Sequence, residues 1–147
     1  MDVVIKETAA LTPEELLTIL AARTKVFVVE QNCAYQEVDD RDRQAVHVVL
    51  ADAGALVAYA RIVPWPAGGA ISFGRVLVVA KRRHEGLARR LVEATLAEIA
   101  RRYPDQPVRI QAQAYLQDFY AGFGFAPTSA VYLEDGIPHL DMLRAVG

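Results

Sequence analysis

The densest chemistry in the chain lies at residues 81–88. Lys81-Arg82-Arg83-His84-Glu85-Gly86-Leu87-Ala88 follows the apolar run Val76 to Ala80 and opens a helical pattern that continues to Tyr103. A helix start carries unpaired N–H groups and the positive end of the helix dipole, and together these hold a phosphate or pyrophosphate. Gly86 and Ala88 let an anion approach the backbone, and Arg82, Arg83 and Arg89 add charge around it. The segment lacks the Gly-Lys-Ser/Thr ending of a P-loop and the Gly-x-Gly-x-x-Gly of a dinucleotide site. A solvated helix start with ordinary surface arginines is the plain alternative.

Arg61 and Arg75 interrupt the apolar runs Ala58 to Val63 and Phe73 to Val76. A buried guanidinium needs a partner. Adjacent antiparallel strands would set both over one pocket. There they would pair with acids among Glu30, Glu37, Asp39 and Asp42, or hold a substrate carboxylate bidentately. Cys33 is the sole cysteine, which excludes an internal disulfide and a cysteine metal cage. No histidine or carboxylate pair has metal-ligand spacing, so no metal is expected.

These residues need a scaffold. A chain of 147 residues, 53% hydrophobic and 23% charged, suits one domain over 1–147 with its own core, not a disordered or fibrous chain. No apolar run nears the roughly 20 residues of a membrane span. Met1-Asp2 opens without a basic n-region, and a reducing, cytoplasmic setting is expected. The net charge of −2 gives no nucleic-acid footprint, but it conceals a contrast. Residues 1–60 hold ten acids and five bases; residues 81–102 hold seven bases and three acids. The basic segment suits an anion, and the acidic stretch from Glu30 to Asp42 suits a cationic amine, unless it is merely a solvated loop.

Val3 and Ile5 alternate with charged neighbours as a first strand. Thr12-Pro13-Glu14-Glu15 is a helix start with a capping box. Strands follow at 46–51 and 55–63, joined by Asp52-Ala53-Gly54, and at 70–79. The helix to Tyr103 has an apolar stripe of Ala88, Leu91, Val92, Thr95, Leu96, Ile99 and Tyr103, with Glu85–Arg89 and Glu98–Arg102 pairs on its other face. A strand at 107–114, a short helix at 116–123 and closing strands complete a mixed α/β sheet. Its order is β-α-β-β-β-α-β-α-β-β, with parallel pairing around the 86–103 crossover.

The run from Val76 through Arg83-His84-Glu85-Gly86-Leu87-Ala88 resembles the acyl-CoA motif of the GNAT acetyltransferases, an apolar strand followed by Arg/Gln-x-x-Gly-x-Gly/Ala. Ala80 stands where that family commonly has proline. Gln113, then Tyr120 seven residues later, then Gly-Phe resembles its second signature, with glutamine for the usual asparagine. The element order is similar over nearly the whole chain. This implies the GNAT fold, a mixed, mostly antiparallel twisted sheet flanked by helices, with splayed central parallel strands. Phe27 to Cys33, Gln111 to Ala114 and Glu134 to His139 are similar to the ElaA branch, assigned as N-acetyltransferases with a poorly defined acceptor.

The resemblance implies acetyl-CoA as cosubstrate. Val76, Leu77 and Val78 would pair with pantetheine, and Arg83, His84, Glu85, Gly86, Leu87 and Ala88 would wrap the pyrophosphate. Glu85 would need to turn outward to Arg89. Gln113 and Tyr120 complete the cofactor set, and a backbone N–H at Leu77 or Val78 would polarise the thioester carbonyl.

Transfer to an amine needs a neutral amine and a proton for the leaving thiolate. Tyr120 is the candidate general acid, with core packing beside Phe119, Phe123 and Phe125 as its alternative role. His47 and Glu30 are candidate bases; His47 is equally a plain strand-end histidine and Glu30 a helix-end surface acid. Glu30, Arg61, Arg75 and His139 are candidate acceptor contacts. Cys33 has no adjacent base for a covalent acyl role and reads as inert.

The acceptor is expected to be a small-molecule or protein amine, and a homodimer through a sheet edge stays open. Two other readings compete. Arg23 to Phe27 and Glu37 to Asp42 resemble the amino-terminal motif of acyl-homoserine-lactone synthases, which share the fold, although this chain is short for that family. A non-catalytic acyl-CoA-binding module would keep Arg83 to Ala88 without needing Tyr120.

Overall fold

The computed structural model describes residues 1–146. Its strands run as an antiparallel meander on one side of the sheet: β1 (Asp2–Glu7), β2 (Val46–Asp52), β3 (Ala55–Pro64) and β4 (Ile71–Val78). A long helix, α2 (Leu87–Arg102), then crosses to β5 (Val108–Gln113), which lies parallel to β4. A short helix, α3 (Gln117–Ala121), leads to β6 (Ala126–Pro127), β7 (Tyr132–Glu134) and β8 (Ile137–Arg144). β8 runs antiparallel to β5 and also pairs with β6 and β7. The parallel crossover falls where the helical pattern predicts it. The two-residue β6 is the one strand that periodicity does not reveal, because two residues carry no period.

The Thr12 cap holds as read. Its side chain accepts from the Glu15 N–H, and Glu15 accepts from the Thr12 N–H, starting α1 (Pro13–Arg23). The helix does not end at Arg23. It widens into a π-helical segment, Thr24–Glu30, which buries Val26 and Phe27 and carries Glu30 to its last turn. Wide turns of this kind often mark functional sites.

Each face of the sheet has its own core. On one face Leu87, Leu91, Val92, Leu96 and Ile99 of α2 bury against strand residues such as Val48, Ala60, Ile62, Phe73 and Ile110. Each buried aliphatic side chain contributes about 1.5–3 kcal/mol. Leu87 joins this stripe, whereas Ala88 is only half-buried. On the other face Ile19, Val26 and Phe27 pack on Tyr59 and Leu77.

Two irregularities shape the cleft side of the sheet. β4 and β5 share a single register position, Ile71 with Val108, and then diverge. In addition, the β3–β4 register shifts between Tyr59 and Arg61, so Arg75 and Val76 together stand opposite Ala60. This is a β-bulge. Arg75 within it has φ of 52°, a left-handed conformation that costs a non-glycine residue on the order of 1 kcal/mol. No helix among the described residues is long and apolar enough to cross a membrane.

Candidate active site

Where β4 leaves β5, a cleft of about 660 Å³ opens between them. β4 contributes Ser72 to Val78, β5 contributes Ile110 to Gln113, and α3 contributes Tyr120. Glu30 and the loop behind the π-helical segment form one rim; Glu134, Asp135, Ile137 and His139 of the β7–β8 hairpin form the other. Cys33 Sγ donates to the Asp135 carbonyl at 3.5 Å, so the two rims touch.

The edge of β4 has a defined polarity. Val79 N–H bonds to Val57 O, which turns Val79 and, by alternation, Leu77 toward β3. Val78 therefore turns its backbone to the cleft, where its carbonyl accepts from Arg83 Nε at 3.0 Å. This narrows the backbone contact expected at Leu77 or Val78: the Leu77 amide is turned away and Val78 is the cleft-facing residue. Leu77 instead buries its side chain.

At the upper end of the cleft, His84 and Gly86 have φ of 66° and 76°, and Gly86 caps α2. Leu87 is buried in the core, so only its backbone can face a ligand. Glu85 does not turn to Arg89. It accepts from Arg82 Nε at 3.1 Å, and Arg82 also bonds Asp52 at 2.8 Å. The left-handed His84 reverses the chain, so Glu85 points back along the turn and not forward along the helix. Arg82 is thereby engaged away from the cleft, and Arg83 is the turn's arginine that lines it. Arg83 also donates to Glu30 at 2.7 Å, across the cleft mouth.

Below this mouth the arginines and acids close into a ring. Arg23 bonds Glu37 and Asp42; Arg61 bonds Asp42 and Asp39; Arg75 bonds Asp39 and Glu37. Three guanidinium groups meet three carboxylates, and the ring is neutral. Arg23 is 0% exposed, Glu37 4% and Arg61 3%. Burial alone would raise the Asp42 carboxyl, but the hydrogen bonds from Arg23 and the Asp39 N–H hold it well below the usual carboxylate range. Burial would likewise lower Arg61, but Asp39 and Asp42 outweigh it, so Arg61 stays charged. The Glu37 bond and the Tyr35 ring under its guanidinium, 5.6 Å from centroid, hold Arg75 in its left-handed conformation. Arg61 and Arg75 thus have acids as partners, as one of the two sequence alternatives has it. Nothing in the local sequence pattern marks Arg23 as a buried ion-pair member, because it sits in the last turn of an ordinary amphipathic helix.

Tyr120 lies where the cleft meets the core. Its ring packs on Phe73, Phe119 and Phe125, while its hydroxyl bonds no protein group among the described residues and is not sealed off from the cleft. Burial, with a smaller contribution from Tyr115, pushes the phenol above its ordinary value, so it keeps its proton. Gln113 and His139 also line the cleft. The His139 ring is fixed by a 2.7 Å contact to Ile137 O and stacks on Tyr132.

His47 is elsewhere. It is 1% exposed and does not line the cleft. Both ring nitrogens are engaged, with Thr8 Oγ1 at 2.7 Å and Tyr59 Oη at 2.6 Å. Burial pushes it down to about 4. Its placement at a strand start after a polar loop suggests exposure, but β1 and Thr8 cover it. The general-base expectation for His47 is therefore withdrawn, and Glu30 alone of the two expected bases lies in the cleft. No group of metal-ligating side chains is assembled among the described residues.

Comparison with known proteins agrees with this architecture. The family model for "Acetyltransferase (GNAT) domain" matches residues 7–145. Protein ElaA of Escherichia coli is 42% identical over 139 residues, covering 92% of this chain and 91% of that protein. The crystal structure of an acyl-CoA N-acyltransferase from Pseudomonas aeruginosa superposes with a TM-score of 0.93 at 42% identity, covering 98% of this chain and 99% of that one. A CoA-dependent acyl-homoserine lactone synthase solved with SAM and isopentyl-CoA reaches a TM-score of 0.81 at only 16% identity, covering 99% of this chain and 83% of that one, a likeness of fold alone. The chain belongs to the GNAT acetyltransferase family, in its ElaA-like branch.

Proposed function

We propose that the protein transfers an acetyl group from acetyl-CoA directly to an amine. The observation that carries this is one continuous track. It runs from Arg83, in the turn before the glycine-opened start of α2, along the unpaired edge of β4 to Tyr120. The residues present fit the cosubstrate. Gly86 has no Cβ to obstruct an anion at the helix start, and its left-handed φ disfavours any replacement. Arg83 supplies a guanidinium with ordinary exposure, and Val78 a cleft-facing backbone. His84, Glu85, Leu87 and Ala88 belong to the wrapping turn through their backbone.

Bound acetyl-CoA supplies an activated thioester; the chain's own groups do the rest. Arg83 moves from Glu30 and Val78 O to the pyrophosphate. That exchange frees the cleft-facing Val78 backbone for an amide of the pantetheine arm. It also frees the Glu30 carboxylate to attract the amine, which gives up its proton to water before attack. Tyr120, held neutral, donates a hydrogen bond to the leaving sulfur. An alkyl thiol titrates at about 8.5, so a phenol raised by burial stabilises the thiolate chiefly as a donor and gives up its proton late. Gln113 and His139 line the path on the β5–β8 side.

A thiol-release assay with acetyl-CoA across a panel of amines tests the reading. Tyr120→Phe should lower kcat about tenfold to a thousandfold while acetyl-CoA affinity holds. Transfer by Tyr120→Phe at the wild-type rate would remove the donor role.

A further inference from the structure

Four arginines line the cleft: Arg41, Arg61, Arg75 and Arg83. Three of them have a carboxylate within 3.5 Å, in the ring or at Glu30. Arg41 has none within salt-bridge distance among the described residues. Its one side-chain hydrogen bond runs from Nη2 to the Pro64 carbonyl at 3.1 Å. Its nearest acid, Asp39, is already taken up by Arg61 and Arg75 and accepts only the Arg41 backbone N–H. Since the six-membered ring is neutral by itself, Arg41 is a surplus positive charge at its edge. Burial lowers its affinity for the proton, Arg61 and Arg75 lower it further, and Asp39 only partly opposes them. An anion is what this position lacks.

Its place along the cleft gives that charge a use. Arg41 reaches the Pro64 carbonyl, and Pro64 pairs with Ile71, where β4 and β5 still touch. Arg83 stands at the other end, beside Val78. Six residue steps separate Val78 from Ser72, which is about 20 Å along a strand. Tyr120 packs on Phe73, nearer the Arg41 end. A cosubstrate anchored at Arg83 would therefore end near Tyr120, with Arg41 beyond it on the acceptor's side.

We propose that Arg41 anchors the acceptor by a carboxylate, so that the acceptor is a small amino-carboxylate, a free amino acid. A single surplus charge matches a monoanion, whereas a phosphate dianion would leave a negative charge facing Asp39 and Asp42. The cleft of about 660 Å³ must also hold the pantetheine arm, which leaves space for a small acceptor. This differs in sign from the cationic amine expected of the acidic stretch: Glu37, Asp39 and Asp42 are consumed in the ring, Glu30 pairs with Arg83 and the exposed Asp40 with Arg43, and the unspent charge lining the cleft there is Arg41. The inference rests on the acetyl-transfer reading of the cleft.

The test is thiol release from acetyl-CoA with each of the twenty common amino acids and with its carboxamide, alongside cadaverine and spermidine. At least one amino acid should be acetylated with kcat/KM about tenfold to a hundredfold above its own carboxamide, the range expected for a charge-assisted bidentate contact. In Arg41→Gln that ratio should fall toward one through a rise in acceptor KM, without a matching rise in the acetyl-CoA KM. Arg41→Lys should restore part of the preference. Carboxamides or polyamines acetylated as well as the amino acids overturn the inference, and so does a preference that survives Arg41→Gln. Calorimetry with acetyl-CoA separates the layers. Binding without transfer to any amino acid overturns the inference alone, whereas no binding removes the reading beneath it as well.

Discussion

The ionic ring and the basic turn are both rich in arginine, and they behave in opposite ways. In the ring, two buried arginines, Arg23 and Arg61, and the partly buried Arg75 meet three acids with no charge left over. At the turn, Arg83 and Glu30 are partly exposed and share one bond across the cleft mouth. A buried pair cannot release a partner without leaving an uncompensated charge. An exposed pair is worth little and can be exchanged for a ligand. Counting charges along the chain cannot make this distinction, because it depends on which groups water still reaches.

Substitutions should reveal the asymmetry, and the ring should show the largest effect. Arg23→Met leaves Glu37 and Asp42 each short of a partner inside the core, and stability should fall by about 3–5 kcal/mol in chemical denaturation. A loss below about 1 kcal/mol would mean that the ring is no more than a surface network.

His47 comes next, beside the ring. Its folded value of about 4 lies below the ordinary 6.5, so the unfolded chain takes up the proton first as pH falls. Stability attributable to His47 is complete above pH 6.5 and declines down to about pH 4, by on the order of 3 kcal/mol. His47→Gln should flatten that part of the curve. An unchanged slope between pH 6.5 and 4 would assign the acid loss to other groups.

The turn should respond in ligand affinity more than in stability. Gly86→Glu places a side chain at φ of 76° and a negative charge at the helix start, so acetyl-CoA should bind at least about tenfold more weakly. The smallest effect has an unusual sign. Arg83→Gln should weaken acetyl-CoA binding, whereas Glu30→Gln should tighten it a few-fold by removing the competitor for Arg83. Both substitutions weakening it alike would rule out the exchange.

Much of the architecture is legible in the residues. Alternation locates the meander, Thr12 and Glu15 set the start of α1, and the crossover at 86–103 predicts the single parallel pair. Arg61 and Arg75 stand out because charge within an apolar strand demands a partner. Other features depend on tertiary contacts. Arg23 becomes buried only because loop residues Glu37 and Asp42 fold over it. His47 is hidden by Thr8, far away in sequence. The π-helical widening at Thr24–Glu30 and the bulge at Arg75 are backbone departures that local propensity does not encode. Arg41 has no sequence signal of its own, since its surplus charge is visible only after every neighbouring acid has been assigned.

Titration calorimetry of the wild-type protein with acetyl-CoA is the decisive experiment, because the turn, the β4 edge and the proposed transfer all depend on that ligand. One acetyl-CoA should bind per chain at micromolar concentrations, more weakly as salt is raised because the pyrophosphate is held partly by charge. Heats indistinguishable from dilution up to millimolar acetyl-CoA would overturn the assignment of the cleft.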